Sequence, residues 1–355
     1  MPEQSLVCLS PGKEQPFFLE AIALGLFLYG RDRVSNRVHL LSGLVVGIAG
    51  VISGIFVIAA NAWMNSPSGF EWVNGQAINI DPVAAMFNKA WFQEALHMTI
   101  AAFASTSFAV AGIHAYLLLR HKDNEFHRKA VRIALAFGAV AAILQPISGD
   151  ISAKNVAKLQ PAKLAAMESL FKTSQPASIV IGGIPNVKEE KVDYGLHIPQ
   201  LLSYLDHGDF KAEVEGLDKT KKEDWPPVAI VHVSFQTMVL MGLLMMGTGI
   251  LFLIFKFKWK ENLDKEWWLK LLAGLTPVGF IAVEAGWIVT EVGRQPWIIY
   301  GIMKTRDAVT PMPGIQYPFY VITLIYILLT VFVFWLMRRQ ILAIQTNYQD
   351  INNHD

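Results

Sequence analysis

Glu284, Trp287, Glu291 and Arg294 are spaced by three, four and three residues in VEAGWIVTEVGR, so they form one stripe along a helix. Two carboxylates seven residues apart in an apolar helix are costly to desolvate, which marks both for chemistry. A carboxylate can ligate haem weakly or accept a proton, and an Arg can neutralise an acidic cofactor group. A structural Glu–Arg pair at the helix end is the plainer reading. His97 stands at the start of one apolar run and Met238 about ten residues into another, roughly 15 Å along its helix. His and Met form an axial pair for an electron-transferring haem. By spacing alone, a helix-end histidine and ordinary packing in VLMGLLMM are the commoner explanations. Glu20, about ten residues from the inner end of the first apolar run and so near mid-membrane, is a candidate proton relay, or simply sits at the start of a broken helix. Asn61, in AANAWMNSP, either continues a polar path or caps its helix. Lys163 and Glu168, in QPAKLAAME, can bind a quinol head group and take its protons, or lie on a solvated helix face.

These residues need a membrane scaffold to position them. The 355 residues are 53% hydrophobic and 17% charged, whereas soluble domains carry about a quarter charged residues. Apolar runs stand at about 17–30, 39–61, 96–119, 130–148, 228–255, 268–292 and 316–337. Six meet the roughly 20 residues that a spanning helix needs. The first reaches only about 21 Å at helical rise and reads as the second half of a helix. The expected fold is an all-α integral membrane protein with about seven transmembrane helices and one large outer-side loop.

Charge sets the orientation. Arg31, Arg33 and Arg37, then Lys122, Arg128 and Lys129, then Lys256, Lys258, Lys260 and Lys265, and finally Arg338 and Arg339 fall on alternate connections, hence on one side, the cytoplasm. The connection 62–95 carries only Lys89 and fits the opposite side. The expected organisation is an atypical N-terminus over 1–16, helix groups over 17–149 and 228–340, an outer loop over 150–227 and a cytoplasmic tail over 341–355. Within the loop, 162–172 reads as a short amphipathic helix. Net charge of +1 and the absence of a basic block with interleaved aromatics give no sign of nucleic-acid binding. The single Cys8 excludes an intrachain disulfide and a Cys-only metal site.

Five local motifs occur in one order: AANAWMNSP, ALHMT, QPAKLAAME, FQTM and VEAGWIVTE with GRQPW. In that order, over about residues 17–340, the chain resembles subunit I of the cytochrome bd quinol oxidases. The resemblance implies that His97 and Met238 ligate the low-spin haem b that receives electrons from quinol. It implies that Glu291 ligates one haem of the oxygen-reducing pair, high-spin haem b or haem d, with Trp287 and Arg294 against it. Lys163 and Glu168 would lie in a short form of the quinol-oxidising loop, and Glu20 and Asn61 on proton routes. The implied reaction oxidises quinol and reduces dioxygen to water, building a proton gradient across a bacterial inner membrane. The implied partners are subunit II and a small accessory subunit.

Two departures accompany this resemblance. Gln236 stands where the family usually has an Arg, so the charge that tunes the haem is absent there. Residues 1–16 match none of the family's first helices, one of which carries a haem-ligating histidine; Gly12 and Lys13 stand where a further proton-path carboxylate is usual. The sequence therefore reads as an N-terminally truncated copy. An electron-transfer-only b-type cytochrome is the second reading, and a haem-free ion-coupled transporter using Glu284 and Glu291 the third.

Overall fold

A computed structural model describes residues 14–352, with side chains over 18–339. Cys8 and the N-terminus expected to be unmatched, up to residue 13, lie outside the described residues, as do the side chains of the expected tail. The chain divides into two units, one ending at Asp307 and one beginning at Ala308.

The first unit is a helical bundle with small strands in its connections. In chain order it comprises α1 (Glu14–Tyr29), α2 (Asn36–Asn65), the hairpin β1 (Glu71–Val73) and β2 (Gln76–Ile78), and α3 (Pro82–Met86). It continues with α4 (Trp91–Arg120), α5 (Glu125–Leu159) and α6 (Pro161–Met167). Then follow β3 (Ile179–Ile181), β4 (Ile184–Asn186), β5 (Lys191–Asp193), β6 (Leu196–Ile198), α7 (Leu201–His207) and α8 (Val228–Phe257). It closes with α9 (Glu266–Gly274), α10 (Val278–Val292) and the pair β7 (Trp297–Ile299) and β8 (Met303–Lys304). The second unit carries one long helix, α11 (Gln316–Asn352).

Six helical stretches among the described residues are long and apolar enough to cross a membrane, and a shorter apolar one covers Phe18–Tyr29. The expectation of about seven membrane segments in an all-α protein is met on these terms. Two expected segments change shape. The run 268–292 is not one rod: it breaks between α9 and α10, where Pro277 in LTPVG cannot donate a backbone hydrogen bond. The expected helix over 162–172 ends at Met167, and Ser169 takes a left-handed φ of 53°. Its residues from Ala162 to Met167 are all buried, so it is not a half-solvated amphipathic helix.

In the bundle α4 packs on α5, α9 and α10, and α8 packs on α5 and α10, while α4 and α8 make no extended contact. The two therefore stand diagonally across the bundle. Small residues permit the close crossings: a side chain on Gly279 would strike Ser105, and one on Gly249 would strike Ala139. The apolar core, including Phe108, Leu135, Phe252 and Trp268, fills the end where α4 turns into α5. There Asn124 caps α5, accepting the His127 N–H at 3.1 Å, and Asp264 holds Arg128 (3.3 Å) and Arg132 (3.0 Å). The other end, where α2, α5 and α10 finish and α4 and α8 start, is called the loop end. Here α5 runs past residue 149 to Leu159, and β4–β5 nests inside β3–β6 as one irregular hairpin.

Candidate functional site

Charged and amide side chains from four helices meet at the loop end. Glu291, in the last turn of α10, accepts a hydrogen bond on Oε1 from the amide of Asn61 on α2. Its Oε2 pairs with Arg294 at 2.5 Å. Asn61 accepts in turn from Asn65 at 2.8 Å, and the Asn65 side-chain oxygen accepts from Lys163 Nζ at 3.0 Å. Gln160 donates to the Asn65 carbonyl at 2.8 Å and fixes the start of α6 against the end of α2. Glu94, in the first turn of α4, faces Lys163, Arg294 and Glu291 electrostatically. Two cations, both buried, and two partly exposed carboxylates are thus gathered, and burying the cations is favourable only with such mutual compensation.

Burial sets the chemistry of the loop residues. Lys163 is only 5% exposed, and burial pushes its ammonium down to about 8 against the opposing pull of Glu94 and Glu291, with Arg294 adding to the fall. Glu168 follows α6 and is equally buried. Burial, helped by the charge of Asp206, pushes its carboxyl up to about 8, and its Oε2 has no hydrogen-bond partner. Both groups are thereby tuned close to neutral pH.

His97 lies nearly two turns into α4, deeper than a start at residue 96 implies. Its Nδ1 is 2.9 Å from Ser148 Oγ, and that hydroxyl donates its one proton to the Gln145 carbonyl at 2.9 Å. When the Ser148 oxygen accepts, Nδ1 carries the proton and Nε2 the lone pair. Gln145 Nε2 stands 3.1 Å from that lone pair. This tautomer is the one a metal-ligating His adopts when an outer partner holds its other nitrogen. Met238 lies on α8, and its sulfur would be 3.1 Å from a Cβ on Gly286 of α10, so glycine there leaves the thioether room.

The sequence candidates divide by location. The structure joins Asn61, Lys163, Glu291 and Arg294 in one cluster, although sequence spacing separates them into a proton path, a loop and a helix stripe. Trp287 is half-buried on α10, whereas Glu284 is exposed. Glu20 is half-buried on α1, with its Oε1 3.9 Å from a Cβ placed on Gly50 of α2. Glu94, Asn65, Gln160, Gln145 and Ser148 were not singled out from sequence. Glu94 stands one turn before His97, just outside the apolar run that begins at 96. Among the described residues no group of three His, Cys, Asp or Glu side chains is arranged to hold a metal ion alone.

The donor set does fit haem. Haem iron takes one or two protein ligands, and the imidazole of His97 and the thioether of Met238 come from diagonal helices. Arg294 is 2% exposed, yet its Nε and Nη1 have no hydrogen-bond partner. Buried guanidinium N–H groups call for an acidic acceptor, and a haem propionate is one.

A multi-span helical membrane protein with a cluster of buried charged and amide side chains at one end is the class this architecture defines. Residues 14–344 match the model of the family "Cytochrome bd terminal oxidase subunit I", and the chain belongs to that family. It is 35% identical over 321 residues to the putative cytochrome bd menaquinol oxidase subunit I of Bacillus subtilis (strain 168), covering 88% of this chain and 71% of that one. With the cytochrome bd ubiquinol oxidase subunit 1 of the same organism it shares 33% over 307 residues, 83% of this chain and 65% of the relative. The structure of bd oxidase from Geobacillus thermodenitrificans superimposes with a TM-score of 0.85 at 36% identity, covering 93% of this chain and 76% of that one.

Proposed function

We propose that the chain is the haem-carrying subunit of a quinol oxidase of the respiratory chain, taking electrons from a membrane quinol and delivering them to dioxygen. One observation carries this reading: His97, its two ring nitrogens held by Ser148 and Gln145, stands on the helix diagonal to that of Met238. In this reading His97 and Met238 hold a low-spin haem b. Glu291 holds a second haem, high-spin haem b or haem d, with Arg294 on its propionate and Trp287 beside it. Bound haem supplies one-electron transfer and the reduction of dioxygen to water.

The chain's own residues handle protons. Glu168, which holds its proton below about 8, releases it to outside water and is reloaded from a quinol hydroxyl, since a proton carrier works best near the ambient pH. Lys163, also near 8, shares the site and offers an N–H to the quinol oxygen. Asn61 and Asn65 keep Lys163 in register with Glu291. Glu20 and Glu284 serve proton uptake from the cytoplasmic side. The loop lies outside a bacterial inner membrane, and the partners are subunit II and a small accessory subunit. The substrate is a quinol of the class for which the relatives are named, menaquinol or ubiquinol.

A reduced-minus-oxidised spectrum of membranes carrying the chain, with oxygen uptake on added quinol, tests this. A low-spin b band, a long-wavelength chlorin band and quinol-dependent oxygen uptake are expected. No haem signal would sink the proposal.

A further inference from the structure

Gln236 and His232 stand one helical turn apart on α8 and together grip the main chain of the long loop. Gln236 Nε2 donates to the Val180 carbonyl at 3.0 Å, and its Oε1 accepts the Gly182 N–H at 3.2 Å. The carbonyl of one strand residue and the N–H two residues on point to the same side, so a single side-chain amide here does the work of a neighbouring β-strand. The fully buried His232 adds a second hold: its ring nitrogens lie 2.8 Å from the Met167 carbonyl and 3.1 Å from the Gly182 carbonyl. A neutral imidazole donates to one of these two carbonyls at a time, so His232 ties α8 to the end of α6 or to Gly182, while the Gly182 N–H is held by Gln236; Met167 immediately precedes Glu168. The β4 strand also packs on α8. Met238 lies two residues beyond Gln236, near the opposite side of the same turn, where it faces Gly286 of α10. One turn of helix thus carries the loop on one side and the thioether on the other.

Resting on the proposed quinol-oxidase reading, we infer that Gln236 is a positioning residue for quinol oxidation: with His232 it clamps the β3 edge and the end of α6 to α8, fixing the quinol-facing loop relative to the electron acceptor held by Met238. It is not a haem ligand and touches no reacting atom. The inference also gives Gln236 a task that needs one donor and one acceptor on the same side chain. An Arg has no acceptor for the Gly182 N–H.

The test uses the full assembled enzyme in detergent. Gln236→Met keeps the volume and removes both hydrogen bonds, leaving the Val180 carbonyl and the Gly182 N–H unpaired. Two readouts are taken: tryptic cleavage at Lys188 and Lys191, on the exposed tip of the hairpin, and the kinetics of quinol oxidation. Loss of two such bonds is expected to raise the cleavage rate and the quinol KM about tenfold each. kcat and the low-spin spectrum are expected to stay as in the parent. Unchanged cleavage overturns the clamp, and faster cleavage with an unchanged KM overturns the positioning role. A lost low-spin band places Gln236 in haem holding and overturns it too. If Gln236→Met does not assemble, Gln236→Glu, which keeps the acceptor and loses the donor, must give intermediate values in both readouts. If the parent itself oxidises no quinol, the proposed function fails on its own, and the cleavage rates still decide the clamp.

Discussion

The side-chain amide of Asn61 donates directly to the Glu291 carboxylate, joining the last turn of α2 to the last turn of α10 across 230 residues of sequence. The same Asn61 accepts from Asn65, which accepts from Lys163, so a loop lysine and a helix carboxylate are held by two asparagines. Removing the first link leaves Glu291 with Arg294 alone. Asn61→Leu is expected to lower stability by about 1 kcal/mol, the ordinary net worth of one hydrogen bond, since the Glu291 side chain is 43% exposed and water replaces part of the loss. Asn61→Asp should cost more, because it sets a second carboxylate against the first. Thermal unfolding of the solubilised protein reads both, and an Asn61→Asp variant as stable as the parent would show that the contact does not form.

The hydroxyl of Ser148 holds the Nδ1 side of the His97 ring at 2.9 Å. Ser148→Ala deletes the acceptor for the Nδ1 proton, and the ring can then exchange tautomers or rotate. Outer partners of metal-ligating histidines are typically worth 10–100-fold in affinity or activity. Ser148→Ala is therefore expected to retain low-spin haem about tenfold less tightly during washing in detergent, while the helix content by circular dichroism is unchanged. Equal retention in the variant and the parent would remove Ser148 from that role.

Glu168 predicts a pH dependence of defined sign. Its carboxyl is raised in the folded chain to about 8, so between the ordinary carboxylate value of 4.5 and about 8 the native state holds a proton that the unfolded chain releases. Its contribution is fully present below 4.5 and is lost as pH rises through about 8. Lys163 acts in another window. Its folded value of about 8 lies below 10.5, so its contribution is present above 10.5 and is lost as pH falls through about 8. Comparing the parent with Glu168→Gln isolates the Glu168 contribution: the parent should lose stability relative to the variant from about pH 5 to about pH 8. Parallel curves over that window would show that Glu168 is ionised in the folded protein.

Most of the scaffold was legible because a membrane imposes it. Spanning length and apolar content are read directly from sequence, and so the helices later seen at 36–65, 91–120, 125–159 and 228–257 stand over the expected runs. The break at Pro277 carried its own signal, a residue without an N–H in LTPVG, which a hydropathy reading smooths over. The site was legible only in pieces. Glu291 and Arg294 are neighbours on one helix, and i,i+3 spacing exposes them. Lys163 and Asn61 meet them through the rotation of separate helices, and no spacing rule fixes that. Its burial inverted the simplest reading of Lys163, since a lysine on a seven-residue helix normally faces water.

Gly286 offers a last test, one that separates room for a ligand from mere helix packing. A Cβ there would stand 3.1 Å from the Met238 sulfur, closer than comfortable contact, yet the thioether is the flexible end of an unbranched side chain. Gly286→Ala should therefore be tolerated, with the sulfur moving a few tenths of an ångström. Gly286→Val brings two further methyl groups to the same place, and overpacking of this kind costs about 1–3 kcal/mol. If Met238 ligates the low-spin haem, the valine variant should lose or shift the low-spin band, whereas Gly279→Ala, which overpacks the α4–α10 crossing against Ser105 and away from Met238, should lower stability and leave the band in the folded fraction unchanged. The same spectral change in both variants would mean that packing, and not the thioether, controls the signal.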